Sequence, residues 1–499
     1  MNTEALYQSL NNLYVKAYEK IISARNTDAL IKIPYEKIRV NNLDFKMGHT
    51  SFQYDWDNIE YFDYYDWDSN VFSNFMNSEL NTLPEYEIAA EEICKIFEIP
   101  EENKIFAKRA GLSGFLSLLM KQIPNRIITD QNIEKYINTF INDYKIYKTD
   151  NLFNWHVKVW LRNVHFENTE IKLNTCLIRK PVKDELTETR PKSYHIDLFQ
   201  KLGRSIFATC VLEFSMRAPK QPLGIYSDDI RNEIENCIDV LRLFKIGNVT
   251  VHFQSVIPTS ILEGGDSETP ESPFDKSWKN KVEYQDTSNY EYQVKKVEEK
   301  DFILFFEKIK PSLKSISPKT YLSGNYLDLA FHRYKDALLR SEVNVNRIVS
   351  AISSVEALLS DSHSEITYKI SSRVAGLLRC FGFDSVKVFE KMKTAYDIRS
   401  KLIHGDELKT KKIEFSKNHT HEIVNYNRIC LLVCLQLKDT FNMNAKKNKE
   451  ELIRQIDHSL INDKAQMELT NIIKEKVFIP IIYPFRKHEL PEGDEISSP

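Results

Sequence analysis

Apolar residues recur at helical spacing from the start of the chain: Leu6, Leu10, Leu13, Ala17 and Ile21 place one face of a helix over 3–25. Similar periodicity at 85–97, 101–122 and 130–147 makes residues 1–147 a mostly helical N-terminal region. The texture then changes to alternation. WHVKVWLRNVHF, TEIKLNTCLIRKP, FATCVLEFSMR and NVTVHFQSVIP read as strands, with one helix between them that carries Ile230, Ile234, Cys237 and Leu241 and stops at Gly247. Residues 148–300 are therefore expected to form an α+β middle domain of sensory or regulatory character, ending in the Gly, Ser, Pro and acid cluster ILEGGDSETPESPFDKS, which reads as an exposed linker. Helical patterning returns over 315–480, at 324–340, 343–360, 365–380, 384–404, 421–443, 447–459 and 462–477, and the tail 481–499 reads as flexible. The fold class expected is mainly α and multidomain, closing on an all-α helical bundle.

One segment departs from the helical N-terminal texture. Residues 51–75 hold ten aromatics and six acids with no Lys or Arg, and repeat YDWD at 54–57 and 65–68. A calcium loop needs a central glycine that this stretch lacks. Two readings remain: a hairpin with its aromatics packed inward, or an acidic aromatic surface for docking a protein, anchored by Trp56 and Trp67.

Charge and composition narrow the function. Lys and Arg total 68 against 71 Asp and Glu, so a nucleic-acid site has to be local. Neither G-x-x-x-x-G-K-[ST] nor G-x-G-x-x-G occurs, which removes the usual backbone cradles for nucleotides. Seven cysteines without a C-x-x-C pair fit a reducing compartment, and no signal-peptide pattern or bilayer-length apolar run appears, so a cytoplasmic, membrane-free protein is expected. Cys430 and Cys434, one turn apart in ICLLVCL, suit a buried helix face better than a metal or redox pair.

The chemistry concentrates at 396–405. In the helix over 384–404, Phe389, Met392, Tyr396, Arg399 and Ile403 make one stripe, which places Arg399 in the core and demands a partner for it. Glu356 interrupts the apolar stripe Val345, Val349, Ile352, Leu359 of an earlier helix and is the natural counter-charge, with Arg373 a further candidate member. His404 follows Arg399 by five residues, about 140° around an intact helix, so the two converge only if the helix ends between them or a second subunit contributes. The spacing alone is weak evidence, because Arg190 and His195 repeat it across Pro191.

Context separates the two. AYDIRSKLIHGDE (395–407), preceded in order by YLDLAFHRYKDALLR, IVSAISSVEALLS with Glu356, and EITYKISSRVAGLL, resembles the Apea-like branch of the HEPN superfamily over about 160 residues, a third of the chain. The resemblance implies a C-terminal HEPN helical bundle, Arg399 and His404 as catalytic residues, and Tyr396, Asp397, Ser400, Glu356 and Arg373 as supporting ones. It also implies a metal-independent endoribonuclease of prokaryotic antiviral defence, acting by abortive infection. Such an enzyme works as a homodimer through the HEPN domain, needs no cofactor, and cuts RNA, with tRNA as the family-level substrate. A phage protein is the expected trigger. In type, an imidazole to move protons and a guanidinium to hold phosphate oxygens are sufficient for 2'-OH transesterification. Nine Lys or Arg against five Asp or Glu over 386–417 give a local net charge of +4 that favours RNA. The alternative is a non-catalytic HEPN interaction module with a structural ion-pair network. A metallo-hydrolase built on His419, His421 and Glu422 is weaker, since H-T-H-E is not H-E-x-x-H and reads as a solvated loop.

Overall fold

The computed structural model describes residues 4–25, 30–46, 49–55, 57–67, 69–99, 112–123, 128–150, 152–162, 164–186, 188–191, 204–206, 209–219, 228–247, 249–259, 292–313, 326–339, 343–361, 365–441 and 449–482. The chain divides into two compact units. One comprises Met1–Trp160, Thr175–Arg231 and His252–Asn280, the other Leu161–Asn174, Asn232–Val251 and Lys281–Pro499.

In the first unit, helix α1 (Glu4–Arg25) buries Leu6, Leu10, Leu13, Ala17 and Ile21 completely, the stripe its spacing predicts. It packs with α3 (Pro84–Ile96), α4 (Ser113–Gln122) and α5 (Asp130–Asp150); the short α2 (Ser69–Phe75) precedes them. The expected helix over 101–122 falls partly outside the described residues.

Between α1 and α2 the structure differs from the helical expectation. Four strands, β1 (Leu30–Ile38), β2 (Val40–Lys46), β3 (His49–Tyr54) and β4 (Glu60–Trp67), occupy this stretch. The segment 51–75 is not a hairpin of its own either. β4 pairs antiparallel with β1, and β3 with β2 in another sheet, before the chain turns into α2. Pro34 inside β1 and a partner far along the chain hide this strand from local pattern.

Further on come β5 (Phe153–Arg162), β6 (Val164–Phe166), β7 (Glu170–Lys172), β8 (Leu177–Arg179), β9 (Glu188–Pro191), β10 (Arg204–Ile206), β11 (Cys210–Ala218) and β12 (Thr250–Pro258). β9, which holds Arg190 and Pro191, and β10 lie outside the segments the alternating texture marks as strands; the other six bear that texture out. β12, β5, β11 and β8 are neighbours in one sheet. β9 adds to β1, and Ile38 and Val40 share a core with Trp160, Leu186 and Val211. Burial of that common apolar surface joins the N-terminal strands to the middle block, so residues 147 and 148 do not mark a boundary between compact units.

The second unit is mainly helical. It holds β6 paired parallel with β13 (Tyr292–Val294), most of α6 (Asp228–Phe244), and then α7 (Glu299–Leu313), α8 (Tyr326–Leu339), α9 (Asn344–Leu359), α10 (Ile366–Arg379), α11 (Ser385–His404), α12 (Thr410–Leu437), α13 (Lys449–Ile461) and α14 (Asp463–Lys476). α8 packs on α9, α9 on α12, and α10 on α11. Cys430 and Cys434 are fully buried in α12, as helix-face residues.

α12 begins eleven residues before the expected start at 421. Its first turns carry no apolar stripe. Their buried positions include Ser416 and Thr420, whose hydroxyls donate back to the carbonyls of Ile413 and Ser416. This places His419, His421 and Glu422 inside a helix and not in a solvated loop. The expected flexible tail falls outside the described residues from 483 onward.

Among the described residues no helix is long and apolar enough to cross a membrane.

Candidate active site

The site stands on two helices. α11 starts at Asp384, whose carboxylate accepts from the amides of Val386 (2.9 Å) and Lys387 (3.2 Å), satisfying two of the orphan donors of the first turn. It runs unbroken to His404. Gly405 then adopts φ +77°, left-handed geometry that glycine tolerates without a Cβ penalty, and the amide of Asp406 donates to the Lys401 carbonyl at 2.9 Å to close the helix.

Burial along α11 corrects the expected stripe. Val388, Met392, Ala395, Tyr396 and Ile398 are buried, whereas Phe389 is half-buried and Ile403 is 54% exposed. Arg399 lies at the edge of this face, with a side chain 23% exposed, and not in the core.

Glu356 of α9 is its partner. Arg399 Nη2 donates to Glu356 Oε2 at 2.8 Å, and the Tyr396 hydroxyl donates to Oε1 at 3.5 Å. The guanidinium also lies over the Tyr396 ring, 5.6 Å from its centroid. Burial, and then the charge of Glu356, push the Tyr396 phenol above its ordinary range, so it stays a donor to the carboxylate at neutral pH. Arg399 Nε is buried with no hydrogen-bond partner. One carboxylate thus fixes the guanidinium from one side, and the side chain stays 23% exposed.

The other expected residues separate. Asp397, on the opposite side of α11, pairs with Lys412 of α12, and Ser400 is half-buried next to Arg399. Arg373 does not join Glu356 and Arg399. Its five N–H groups go to Asp361, Asp457 and the Leu359 carbonyl, at 2.7 to 2.9 Å, so it ties the end of α9 to α13. Trp56 lies outside the described residues; Trp67 ends β4, paired in register with Leu30.

His404 is exposed on the last turn. Because the helix does not end between Arg399 and His404, the two side chains leave one chain about 140° apart and about 7.5 Å along the axis. Within one chain they do not face a common point.

Sequence reasoning missed Lys391. Its ammonium reaches both oxygens of Glu422 (3.0 and 2.9 Å), and His419 Nδ1 sits 2.8 Å from Glu422 Oε2. A lysine therefore occupies the place a metal would need beside Glu422 and His419. Among the described residues no cluster of His, Cys, Asp or Glu is arranged to hold a metal ion. Lys391 stands eight residues before Arg399 on the same helix, and nothing in the local pattern distinguishes it from a solvated lysine.

No protein-family model, no curated protein and no solved structure matches this chain.

Proposed function

We propose that this chain is a metal-independent HEPN-type endoribonuclease that cuts cellular RNA, tRNA among its candidate substrates, in cytoplasmic antiviral defence by abortive infection. The observation that carries the reading is the pair of groups on α11: a partly exposed guanidinium fixed by Glu356, and an exposed imidazole at the helix end. The 140° offset is the reason for a homodimer, in which a twofold axis brings two Arg399 and two His404 side chains around one cleft.

In that cleft one imidazole takes the proton of the ribose 2'-OH as the 2'-oxygen bonds to phosphorus. The P–O5' bond breaks, and the second histidine, as imidazolium, returns a proton to the leaving 5'-oxygen. Arg399 binds the phosphate oxygens that carry the extra charge of the transition state. The products are a 2',3'-cyclic phosphate and a 5'-hydroxyl. No step calls on a cofactor.

A constantly active enzyme of this kind would be toxic to its own cell. The residues before α8 offer the room for restraint and for a trigger, with the acidic aromatic segment at 51–75 as the docking surface for a phage protein. Its charge disfavours phosphate.

A second reading is a non-catalytic interaction module. The observation that favours it is that Arg399 already has a carboxylate and an aromatic ring as partners, as a structural network would provide. Sequencing RNA ends after induced expression of the intact chain and of His404→Ala separates the two. New 5'-hydroxyl ends that vanish in a folded His404→Ala protein support the ribonuclease. Identical RNA in both cultures supports the module.

A further inference from the structure

The first unit holds a hydrogen-bonded chain of three side chains on a sheet face. Along β5, Phe153, Trp155, Val157 and Val159 are buried, while Asn154, His156 and Lys158 stand on the half-exposed face. On the neighbouring strand β11 the same alternation puts Glu213, Ser215 and Arg217 on one face. Ser215 Oγ lies 3.3 Å from His156 Nδ1, and His156 Nε2 lies 3.1 Å from Glu213 Oε1.

Charge sets the direction of each bond. The His156 hydrogen bond, with the Arg179 guanidinium nearby, holds the Glu213 carboxyl down at about 2, so at neutral pH it is ionised and only accepts. Nε2 therefore carries the imidazole proton, and Nδ1 keeps the lone pair that accepts from the Ser215 hydroxyl. This is the tautomer in which an imidazole can take a proton from a serine.

The support behind the chain is fixed. Arg179 of β8 holds Glu213 Oε2 through Nε at 2.8 Å and Nη2 at 2.7 Å, leaving Oε1 to His156. Glu185 holds Arg179 in turn, and Lys158 reaches Glu185 at 2.8 Å. Ion pairing along the sheet accounts for Arg179, Glu185 and Lys158. It does not call for an exposed hydroxyl aimed at the bare nitrogen of an imidazole. Nucleophile, base and orienting acid bonded in that order are the signature of covalent acyl transfer.

We infer that Ser215, His156 and Glu213 form an esterase site for small carboxylic esters, with Arg217 as the group that meets the oxyanion. Ser215 Oγ bonds to the ester carbonyl carbon while its proton passes to His156 Nδ1. Arg217 is exposed, has no ion pair among the described residues, and follows Ser215 by about 7 Å along the same face, within reach of the oxygen that becomes negative. The bond from the carbonyl carbon to the leaving oxygen breaks, and the imidazolium gives that oxygen the proton. Water then attacks the acyl-serine, His156 taking its proton and returning it to Ser215 Oγ as the carboxylic acid leaves. Glu213 stays ionised throughout and positions the imidazole. The open sheet face suits a small ester, and the inference does not depend on RNA cleavage.

The test treats the full chain with a rhodamine fluorophosphonate and follows p-nitrophenyl acetate hydrolysis alongside. The folded chain is expected to be labelled, mass spectrometry mapping the adduct to Ser215, and Ser215→Ala should lose the label. His156→Gln keeps an N–H for Glu213 but supplies no base, so labelling should slow by about 100-fold or more at an unchanged thermal transition. Arg217→Ala should slow it about tenfold or more. Glu213→Gln should lower kcat for the acetate ester at an unchanged KM.

No adduct on the folded chain, an adduct on another residue, or labelling of His156→Gln at the intact rate overturns the inference. Acetate hydrolysis that survives in Ser215→Ala and disappears in His156→Gln would show direct attack by the imidazole, and overturns the serine nucleophile.

Discussion

Arg399 and Glu356 meet across two helices at 2.8 Å, and the same carboxylate receives the Tyr396 hydroxyl, so one acid on α9 sets the orientation of two consecutive turns of α11. Replacing Glu356 with Gln should free the guanidinium. If Arg399 acts on phosphate, kcat for RNA cleavage is expected to fall by up to about 100-fold from misplacement alone. The pair is partly exposed, so stability should change by no more than about 1 kcal/mol, measured by urea denaturation. A fully active Glu356→Gln enzyme would remove the positioning role.

His404 touches no core. His404→Ala is expected to abolish RNA cleavage and growth toxicity with the urea midpoint unchanged, while EDTA leaves the intact enzyme active. Undiminished cleavage by the folded variant rejects His404 as the proton-transfer group, and inhibition by EDTA rejects metal-independent chemistry.

Complementation reads the composite site directly. When Arg399→Ala and His404→Ala chains, each inactive alone, are mixed and allowed to exchange, half the dimers are mixed, and their single cleft holds one Arg399 and only one of the two histidines the step uses, so activity should stay absent. Recovery to about one quarter of the intact enzyme would instead show two separate sites, each built from one Arg399 and one His404. An active monomer in light scattering at assay concentration would contradict the shared cleft.

Arg428 gives a stability prediction. It is completely buried in α12, and its guanidinium bonds the Leu243 (2.8 Å), Phe244 (2.9 Å) and Ile481 carbonyls and Asn425 Oδ1 (3.0 Å), with no carboxylate among these partners. Burial pulls it down to about 10, which leaves it charged at neutral pH. Arg428→Ala orphans the last carbonyls of α6 and opens a void. A loss of about 3 kcal/mol or more is expected in urea denaturation, and Arg428→Lys should recover only part of it, because an ammonium cannot span the fork. A loss under about 1 kcal/mol would show that the clamp is dispensable.

His421 predicts acid sensitivity. Burial and then the nearby charge of Arg347 hold its imidazole down at about 3, against an ordinary value of 6.5. The unfolded chain therefore takes up a proton below about 6.5 that the folded chain refuses until about 3, so stability falls with pH through that window, by at most about 1.4 kcal/mol per pH unit for this group. His421→Gln should flatten the profile between pH 6.5 and 4 relative to the intact chain. An unchanged slope would show that other groups set it.

The sequence by itself determined what local periodicity and chain stereochemistry encode. Leu6 to Ile21 define the buried face of α1, the strand texture from 153 onward is present, and Gly405 ends α11 where its left-handed φ is needed. Even the Glu356 to Arg399 pair was legible, because a charged residue in or beside an apolar stripe has few ways to avoid an uncompensated charge. Tertiary structure decided what depends on partners distant in the chain. β1 reads poorly as a strand because it contains Pro34 and is completed by residues 60–67 and 188–191. Arg373 and Arg399 look alike in their stripes, yet Asp361 and Asp457 capture the first and Glu356 the second, a choice made by where α9 ends and α13 begins. The early start of α12 was invisible for the same reason: buried Ser416 and Thr420 satisfy their hydroxyls on the helix backbone, a bond that exists only once the helix has formed.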